Sequence, residues 1–562
     1  MTNAHIDSDR SDPGGVTWWR ADVPLRNPLT SYRFLLEGGA AKYCWVNESG
    51  LVRHDVADSL DFRLVADSNE PSWLNGTVGY QIFLDRFASS GTTRACPDWA
   101  IAEEWEAPLA ADPGVGTQQW FGGDLAGIEQ RLDHLERLGV NLVYLTPFFP
   151  ARSSHRYDAS TFDAVDPLLG GDAALASLIA AAHARDIRVI GDITLNHTGD
   201  RHTWFTQAKR DLSTPEADFY LFGDGPDDYV AWHDVPSLPK LDHRSDDLAR
   251  RLYRGADSVI GKYLDDPFGL DGWRVDCANT TGRNGLVDVN QLVAADARAT
   301  IDEHTDEGGW LVAEHCYDAG ADLCAGGWHG AMAYQWWTRP LWSWLRGDRP
   351  LSLMSQIEVP HLDGATVVAS MRGLGGNVPW AARAASMTML DSHDTARFRT
   401  VVGGDRERHL VGMAALLTMP GVPTIFAGSE VGVEGDSMDS GRVPFPWTEA
   451  EWDAEFFEAT RSLIAVRSAS PALRCGSMRW VDATDDSITF VREVDDDIVI
   501  VHLRRTACGD IDIPISTVVS RPRCLARTTA LCGTPPMRVD DVLRFAGDTG
   551  ASIVRCDLDD AL

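Results

Sequence analysis

Acidic and basic side chains stand at the ends of several short apolar runs of the sequence, and their types suit acid–base chemistry. Asp276 follows Arg274 by two residues in GWRVDCAN, and Glu314 stands near the end of GWLVAEH. Two further runs end in DITLNH and DSHD, which add Asp192, Asn196, His197, Asp391, His393 and Asp394. For one residue such as Asp391, a cap or a buried ion pair is the simpler interpretation. Chance does not explain the whole set.

Three carboxylates and two histidines can serve two different chemistries. The first is metal-dependent hydrolysis, since His197 and His202 lie five residues apart and two aspartates are nearby. Against it, HTGDRH lacks helical spacing and the other acids come from single strand ends. The second is cleavage of a glycosidic bond. That reaction needs a carboxylate nucleophile and a protonated acid about 5–5.5 Å apart when configuration is retained.

Arg274 is the residue that favours glycosidic-bond cleavage. Side chains alternate along a strand, so Arg274 and Asp276 point to the same face. Arg274 can therefore hold Asp276 ionised and oriented while Glu314 keeps its proton. The chain also has 20 Trp and 11 Tyr, whose rings suit stacking on sugar faces. The residues alone thus predict Asp276 as nucleophile and Glu314 as acid.

Eight apolar runs separated by helix-like stretches must position these residues. The first is VGYQIFL (78–84) and the last is GVPTIFAGSE (421–430). Alternation of strands with helices predicts an α/β fold with a parallel sheet, and eight strands close a (β/α)8 TIM barrel with its active site at the C-terminal strand ends. The six runs between them are 141–149, 188–197, 269–279, 309–315, 332–337 and 386–394.

Further units are expected around a catalytic barrel that spans 76–474. Residues 1–15 are polar and rich in Gly and Pro, so we expect them to be disordered. Residues 16–75 predict a small N-terminal β-sandwich. The polar stretch 198–245 is too long for a plain loop and predicts an inserted subdomain after the third strand. Residues 475–562 alternate with period two, which predicts a C-terminal antiparallel β-sandwich.

The charge of the chain excludes several classes of partner. Its 562 residues include 83 Asp and Glu against 50 Lys and Arg, which gives a net charge of −33. Such a surface repels phosphate backbones and anionic lipid, so we expect no nucleic-acid and no membrane partner. No secretion signal or membrane-spanning run is present, and the ten cysteines lack zinc-ligand spacing. We therefore expect a cytoplasmic protein without a metal site.

Several ordered motifs resemble the α-amylase family of retaining α-glucoside hydrolases and transferases. DITLNH, GWRVDCAN, LVAEH and LDSHD follow the family's order, and GVNLVYLTP, WFGGDLAGI and GVPTIFAGSEVG agree as accessory motifs. The resemblance covers about residues 76–470. It implies that Asp276 forms a covalent glucosyl-enzyme, that Glu314 acts as acid and then as base, and that Asp394 binds the 2- and 3-hydroxyls.

The resemblance also assigns residues that bind the sugar without reacting with it. It implies that His197 and His393 hydrogen-bond the same sugar that Asp394 holds. It further implies that Arg274 sets the ionisation of the nucleophile and that Tyr157 stacks under the sugar ring.

The chain is most similar to the cyclomaltodextrinase, neopullulanase and maltogenic amylase branch, through YQIFLDRF and LPKLD (238–242). LPKLD makes Lys240 a candidate for the leaving-group side of the cleft, against the alternative of a solvated loop lysine. Trp232 is a candidate sugar contact, against a structural aromatic. An N-terminal sandwich often builds a dimer in this branch, so we expect a homodimer.

We expect hydrolysis of α-1,4 bonds in short or cyclic maltooligosaccharides, which are small neutral substrates. A transglycosylase or α-glucosyltransferase of the same fold stays open, as does a non-catalytic glycan-binding subunit. No cofactor is expected to be required. The loop after DRF lacks the branch's Asn and Asp ligands, which makes calcium there doubtful, although Asp98 and Asp124 remain.

Some neighbouring residues depart from the branch or are expected to do no chemistry. Cys316 stands two residues after the catalytic Glu in place of Trp, and Thr280 stands in place of Glu, which predicts a related but distinct specificity. Cys277 is expected to point into the barrel wall. We expect core positions for Trp336, Trp337, Trp342 and Trp344.

Overall fold

Eight parallel strands form the centre of the protein in a computed structural model, which confirms the predicted (β/α)8 barrel. The structure describes residues 2–8, 11, 17–38, 42–66, 69–305, 307–354, 357–519 and 525–558. The strands are β1 (Gly79–Ile82), β2 (Leu142–Leu145), β3 (Arg188–Thr194), β4 (Gly272–Asp276), β5 (Trp310–Ala313), β6 (Gly330–Ala331), β7 (Met387–Thr388) and β8 (Val422–Phe426). Successive strands pair in order from β1 to β6, and β8 pairs with both β1 and β7.

The ring of strands closes between β6 and β7, which are only two residues long each. One parallel bridge, between Met332 and Met387, joins the two sides. The sixth predicted run is therefore mostly not a strand. Its tryptophans lie in a π-helical turn, Tyr334–Thr338, in which Thr338 N donates to Ala333 O. This turn leads into the helix Arg339–Leu345, and the four tryptophans expected in the core, Trp336, Trp337, Trp342 and Trp344, are buried.

Helices cover the outside of the barrel because each buries one apolar stripe against the strands. The helix Gly171–His183 buries Leu175, Leu178, Ile179 and Ala182, which is the spacing of a single helix face. Further helices between the strands include Leu125–Glu129, Leu132–Leu138, Asp246–Leu252, Val259–Leu264, Asn290–His304, Gly364–Gly375 and Arg406–Thr418. The helix Ala454–Ala469 follows β8.

The predicted insertion lies between β3 and β4 and folds back onto the end of β3. It contains the helix Thr203–Arg210 and the short 3-10 turn Pro215–Phe219. Single antiparallel bridges join Tyr220 to Leu241 and His197 to Lys240. The second bridge places the LPKLD loop beside the strand end that carries His197.

Small antiparallel sheets precede the barrel. Leu29–Tyr32 pairs with Phe62–Val65, and Phe34–Gly38, Lys42–Asn47 and Gly50–Val52 form a second sheet. Arg383 binds Glu48 at 3.1 Å and so ties this unit to the barrel. The predicted disorder of residues 1–15 is wrong for His5–Asp7, because these residues pair as a strand with Trp18–Arg20. The remainder of that prediction lies largely outside the described residues.

The C-terminal region is an antiparallel sandwich, as predicted. Its larger sheet contains Ser477–Ala483, Ser487–Val494, Asp497–Arg504, Gly550–Leu558 and Leu525–Cys532. Its smaller sheet contains Ile511–Pro514, Val542–Phe545 and Met537–Val539. Apolar side chains of the two sheets, including Ile500, Val554, Leu543 and Phe545, form one core cluster. Among the described residues, no helix is long and apolar enough to cross a membrane.

Candidate active site

The predicted catalytic residues meet at one rim of the barrel because each follows the C-terminal end of a strand. Asp276 is the last residue of β4, and Glu314 directly follows β5. His197 lies in the loop after β3, and Asp394 lies in the loop after β7. All parallel strands of a barrel end at the same rim, so residues distant in sequence come within contact distance.

Arg274 is the centre of this cluster and is fully buried. Its Nη1 lies 3.0 Å from Asp276 Oδ1 and 2.9 Å from both carboxylate oxygens of Asp192. Its Nη2 lies 3.1 Å from Glu314 Oε2 and 3.8 Å from Asp394 Oδ2. Burial lowers the pKa of Arg274, but Asp192 and Glu314 outweigh burial and raise it well above its ordinary value. The positive charge of Arg274 therefore lies close to four carboxyls.

Asp276 and Glu314 behave as a pair. Burial and then the Glu314 charge raise the pKa of Asp276 well above its ordinary value, while Arg274 opposes the rise. Glu314 Oε2 also accepts a 2.7 Å hydrogen bond from the backbone N–H of Cys277. The charge of Glu314 therefore disfavours the ionised form of Asp276, and the charge of Arg274 favours it. One ionised and one protonated carboxyl is the state that glycosidic-bond cleavage requires.

Asp192 positions other residues of the site. Its carboxylate accepts hydrogen bonds from Tyr144 Oη at 2.5 Å and Tyr157 Oη at 2.8 Å, in addition to those from Arg274. Burial raises the pKa of Asp192 to about 6, and Arg274 opposes the rise. With no exposed surface, Asp192 acts through the residues that it holds.

Tyr157 and His393 form a stacked pair beside the acids. Their rings lie 5.6 Å apart and only 7° from parallel, and Tyr157 Oη lies 2.7 Å from His393 Nε2. Gln81 fixes the histidine from behind, since its Nε2 lies 2.9 Å from His393 Nδ1 and its Oε1 accepts the His393 backbone N–H. Burial lowers the pKa of His393 well below its ordinary value, so the ring is neutral at neutral pH.

Asp394 is held by a second arginine that sequence reasoning missed. Arg442 Nη2 donates to Asp394 Oδ1 at 3.1 Å, and Arg442 Nε donates to the His393 carbonyl at 2.7 Å. Arg442 lies in the long loop after β8, away from any strand end, so its position gives no sequence signal. Gln81 was also missed, although a glutamine inside the apolar run VGYQIFL is such a signal.

His197 and Lys240 lie together on the other side of the acids. His197 Nδ1 contacts Asn196 Nδ2 at 3.1 Å, and burial and then Lys240 lower the pKa of His197 to about 3. Lys240 donates to Asn196 Oδ1 and, at 2.8 Å, to the carbonyl of Thr280 in the turn after the nucleophile. Lys240 is buried, and burial lowers its pKa to about 8. The alternative of a solvated loop lysine is therefore wrong. The half-buried Trp232 ring lies 5.8 Å from the His197 ring.

The prediction that Cys277 points into the barrel wall is wrong. Cys277 has a left-handed backbone with φ of +47°, which turns the chain sharply after the nucleophile. The ligand atoms of His197, Asp276 and Cys277 all lie within 4.8 Å of one another. Burial and then Asp276 raise the pKa of the Cys277 thiol well above its ordinary value.

The alternative of a metal-dependent hydrolase requires His202 as a second histidine ligand, but His202 is engaged elsewhere. His202 caps the helix Thr203–Arg210, where its Nδ1 accepts the Trp204 N–H at 3.2 Å. Its ring packs against Phe162 and Trp204, and burial lowers its pKa to about 3. His202 therefore has a structural function at a helix end.

The two acids after β1 that remained as candidate calcium ligands both have protein partners. Asp124 accepts hydrogen bonds from the backbone of Ser90 and Gly127 and pairs with Arg94 at 2.5 Å. Asp98 pairs with Arg152 at 3.3 Å. Arginines thus already neutralise both acids that remained as candidate calcium ligands, and the oxygens of Asp124 are engaged.

Two other strand-end residues have structural partners. His315 Nε2 lies 3.1 Å from Asp322 Oδ2. Asp391 is buried and accepts hydrogen bonds from Ser429 Oγ at 2.8 Å and from the backbone of Phe398 at 2.8 Å. The interpretation of Asp391 as a buried structural acid agrees with these contacts.

Known proteins resemble this chain over most of its length. It is 28% identical over 533 residues to a cyclomaltodextrinase from Bacillus sp, which covers 90% of this chain and 87% of the relative. It is 28% identical over 498 residues to an intracellular maltogenic amylase from Bacillus subtilis, covering 86% and 79%. The solved cyclic alpha-maltosyl-(1→6)-maltose hydrolase from Arthrobacter globiformis superposes with a TM-score of 0.71 at 26% identity, covering 87% and 100%.

A family comparison covers the barrel itself. The model described as alpha amylase, catalytic domain, matches residues 81–307 and 372–480. These ranges contain Asp276 and Asp394, while Glu314 lies in the gap between them. The chain therefore belongs to the alpha-amylase family of glycoside hydrolases.

Proposed function

We propose that this protein hydrolyses α-1,4-glucosidic bonds in short or cyclic maltooligosaccharides, with retention and through a covalent glucosyl-enzyme. The observation that carries the proposal is the contact of one buried arginine, Arg274, with both Asp276 and Glu314. This contact joins a nucleophile and an acid in one coupled pair at the barrel rim. A glycan-binding subunit without activity has no need for such a pair.

The reaction follows from the two protonation states. Burial and Glu314 favour protonated Asp276 and Arg274 opposes them, so the reactive state is the one in which the proton lies on Glu314. In that state the Asp276 carboxylate attacks the anomeric carbon, while Glu314 gives its proton to the leaving oxygen and the glycosidic bond breaks. Glu314 then takes a proton from water, whose oxygen attacks the same carbon and releases Asp276. Before attack Asp276 is ionised and Glu314 is protonated, whereas in the glucosyl-enzyme Asp276 is an ester and Glu314 is ionised. The pair carries one negative charge in both states, so Arg274 faces the same net charge throughout.

The remaining site residues suit a neutral sugar. His197 and His393 are uncharged at neutral pH because burial lowers the pKa of both, so they offer hydrogen bonds to hydroxyls without adding charge. Asp394, held by Arg442, is an acceptor for two hydroxyls. Tyr157 offers a ring face. Lys240 and Trp232 line the side built by the insertion.

The choice of short or cyclic substrates draws on the relatives. Their names specify cyclomaltodextrins, maltogenic action and a cyclic maltosyl-maltose, and the match extends over the whole of the last chain. A cytoplasmic location is part of the proposal. Nine free cysteines among the described residues and the name of the intracellular relative support it.

Asp276→Asn tests the nucleophile. We expect kcat to fall by at least about 10³-fold, because the amide cannot form the ester, while maltose still binds in calorimetry. The matched control is Asp391→Asn, a second buried strand-end acid. It should lower the free energy of unfolding by about 1–3 kcal/mol through weakened hydrogen bonds and change kcat much less. Full activity of Asp276→Asn contradicts the proposal.

Product profiles test the substrate and the reaction. We expect turnover of cyclodextrins, panose, pullulan and α-1,6-bridged cyclic tetrasaccharides, with smaller sugars as products. Activity confined to starch contradicts the proposed substrate class. Longer products in the presence of excess acceptor sugar instead identify a transglycosylase, which differs in how well the site excludes water.

A further inference from the structure

We propose that Cys277, His197 and Asp276 form a binding site for a thiophilic divalent cation such as Zn²⁺ or Cd²⁺. The ligand atoms of the three residues lie within 4.8 Å of one another. They come from the ends of two neighbouring strands, because His197 lies in the loop after β3, Asp276 ends β4 and Cys277 directly follows it. Binding of such an ion at this place would block the sugar site.

One buried nitrogen of the group has no partner. His197 is only 2% exposed, and its Nε2 has no partner among the described residues at ordinary hydrogen-bond distance and angle, although the Tyr157 backbone lies near enough to raise the pKa of the ring in part. A buried polar atom without a partner costs free energy, so it favours a ligand. The proposed sugar satisfies this atom during catalysis, and a cation can satisfy it when the sugar is absent.

The donor set determines which ions fit. Sulfur, imidazole nitrogen and carboxylate oxygen together match zinc and its heavier relatives, whereas calcium and magnesium prefer oxygen alone. Zinc binds these donors at about 2.0–2.3 Å, so donors in one tetrahedron lie about 3.5 Å apart. Side chains now up to 4.8 Å apart reach that spacing by small rotations.

The charges around the site allow a divalent ion. Lys240 opposes it, but its ammonium group is turned to Asn196 and to the Thr280 carbonyl. Asp192, Asp276, Glu314 and Asp394 all lie within 3.8 Å of Arg274, so four carboxyls face the three cations Arg274, Arg442 and Lys240. The thiolate that forms on binding adds a further negative charge. On binding, a sulfur–metal bond forms and the Cys277 thiol releases its proton to solvent.

The effect on catalysis rests on the proposed function, whereas the binding itself does not. A cation bonded to Asp276 occupies the carboxylate that should attack the sugar. Inhibition by the cation should therefore be competitive, in that maltose bound at the site weakens it, and a chelator should reverse it.

The experiment uses the full-length protein with the exposed Cys96 and Cys475 replaced by serine, which removes two competing surface thiols. Cd²⁺ is titrated while the ultraviolet absorption of the cadmium–thiolate bond is followed, and the same samples are assayed for hydrolysis. We expect one equivalent of Cd²⁺ to produce the band and stop turnover. Maltose should weaken the binding.

The test variants are Cys277→Ala and Cys277→Ser, and the control is Cys316→Ala. Cys316 Sγ lies 3.9 Å from Glu314 Oε1, so it is a second thiol near the acids but outside the group. Loss of a direct ligand should weaken Cd²⁺ binding by about tenfold to 100-fold in both Cys277 variants. Inhibition of each variant is measured relative to its own hydrolysis rate without metal. The control should keep parental affinity.

An unchanged band in both Cys277 variants overturns the proposal, as does its loss in Cys316→Ala alone. A band that depends on Cys277 in a protein without hydrolase activity would instead refute the proposed function and leave the metal site standing.

Discussion

Arg274 determines how the acids of the site ionise. Its two terminal nitrogens contact Asp192, Asp276 and Glu314 within 3.1 Å, in a place where none of its own surface meets solvent. At low dielectric each of these contacts is stronger than in water, and so is the repulsion between the carboxyls. The ionisation of Asp276 is therefore a property of the cluster and not of this residue alone.

Glu314→Gln should lower the pKa of Asp276, because Glu314 is the largest charge that raises it. Ionised Asp276 then persists to lower pH. With α-maltosyl fluoride, whose leaving group needs no acid, we expect the acidic limb of the rate profile to move to lower pH than in the parent. Glu303→Gln, an exposed glutamate in the helix Asn290–His304, is the control and should leave the limb in place. A shift to higher pH contradicts the coupling.

Trp232→Ala should raise KM for short maltooligosaccharides about tenfold, with a smaller change in kcat. The physical reason is loss of an aromatic face near His197, which is worth about 0.5–1.5 kcal/mol in ring contacts. Steady-state kinetics on maltotriose measures it. Trp380→Ala is the matched control, since Trp380 is 38% exposed in a helix outside the barrel rim. Equal changes of KM in the two variants would indicate that Trp232 has only a structural function.

Most residues of the cluster at the rim could be predicted from the sequence, because the strands and the order of the motifs determine where they lie. Arg274 and Asp276 lie two apart on one strand, so period-two alternation places them on one face. Arg442 and the direction of Cys277 could not be predicted. The first depends on a long loop after β8, and the second on a single left-handed φ.

At the scale of elements, the loop after β1 determines whether the protein needs calcium. We propose that it does not, because Arg94 supplies the positive charge at Asp124. Dialysis against EDTA should leave both the hydrolysis rate and Tm unchanged, and added Ca²⁺ should not raise Tm. An ion that binds only the folded state stabilises it by an amount that grows with the ion's free concentration relative to its Kd, so a rise in Tm with Ca²⁺ would contradict this proposal.

Short elements were harder to predict than long ones. The seven-residue strand β3 and the helix Gly171–His183 carry clear apolar patterns. By contrast, β6 is two residues long and merges into tryptophans that belong to a helical turn. Apolar runs of this length fit a buried strand and a buried helix equally well, and only packing against the rest of the barrel separates them.

At the scale of the whole molecule, the N-terminal sheets expose apolar surface that a second copy could cover. Phe34 and Leu36 lie two residues apart on one strand and so share a face of the sheet. Phe34 pairs with Val46, which pairs in turn with Leu51, so Leu51 lies on the same face. Leu36 and Leu51 are 47% and 58% exposed. Monomers rarely leave such contiguous apolar surface uncovered. We propose that this face joins two copies of the chain.

The double variant Leu36→Glu, Leu51→Glu should convert the dimer to a monomer, because two buried charges per protomer would oppose association. Sedimentation velocity measures the change. Leu286→Glu, at a fully exposed position between β4 and β5, is the control and should stay dimeric. A parent protein that is already monomeric refutes the proposed interface.

The single bridge between Met332 and Met387 has a consequence for the catalytic rim. Every other strand boundary is held by at least two paired positions, so the ring can widen along this seam with the smallest loss of hydrogen bonds. Glu314 stands on one side of the seam and Asp394 on the other. Widening of the barrel along this seam would therefore change the distance between Glu314 and Asp394 more than the distance between Asp276 and Glu314, which lie on the directly paired strands β4 and β5.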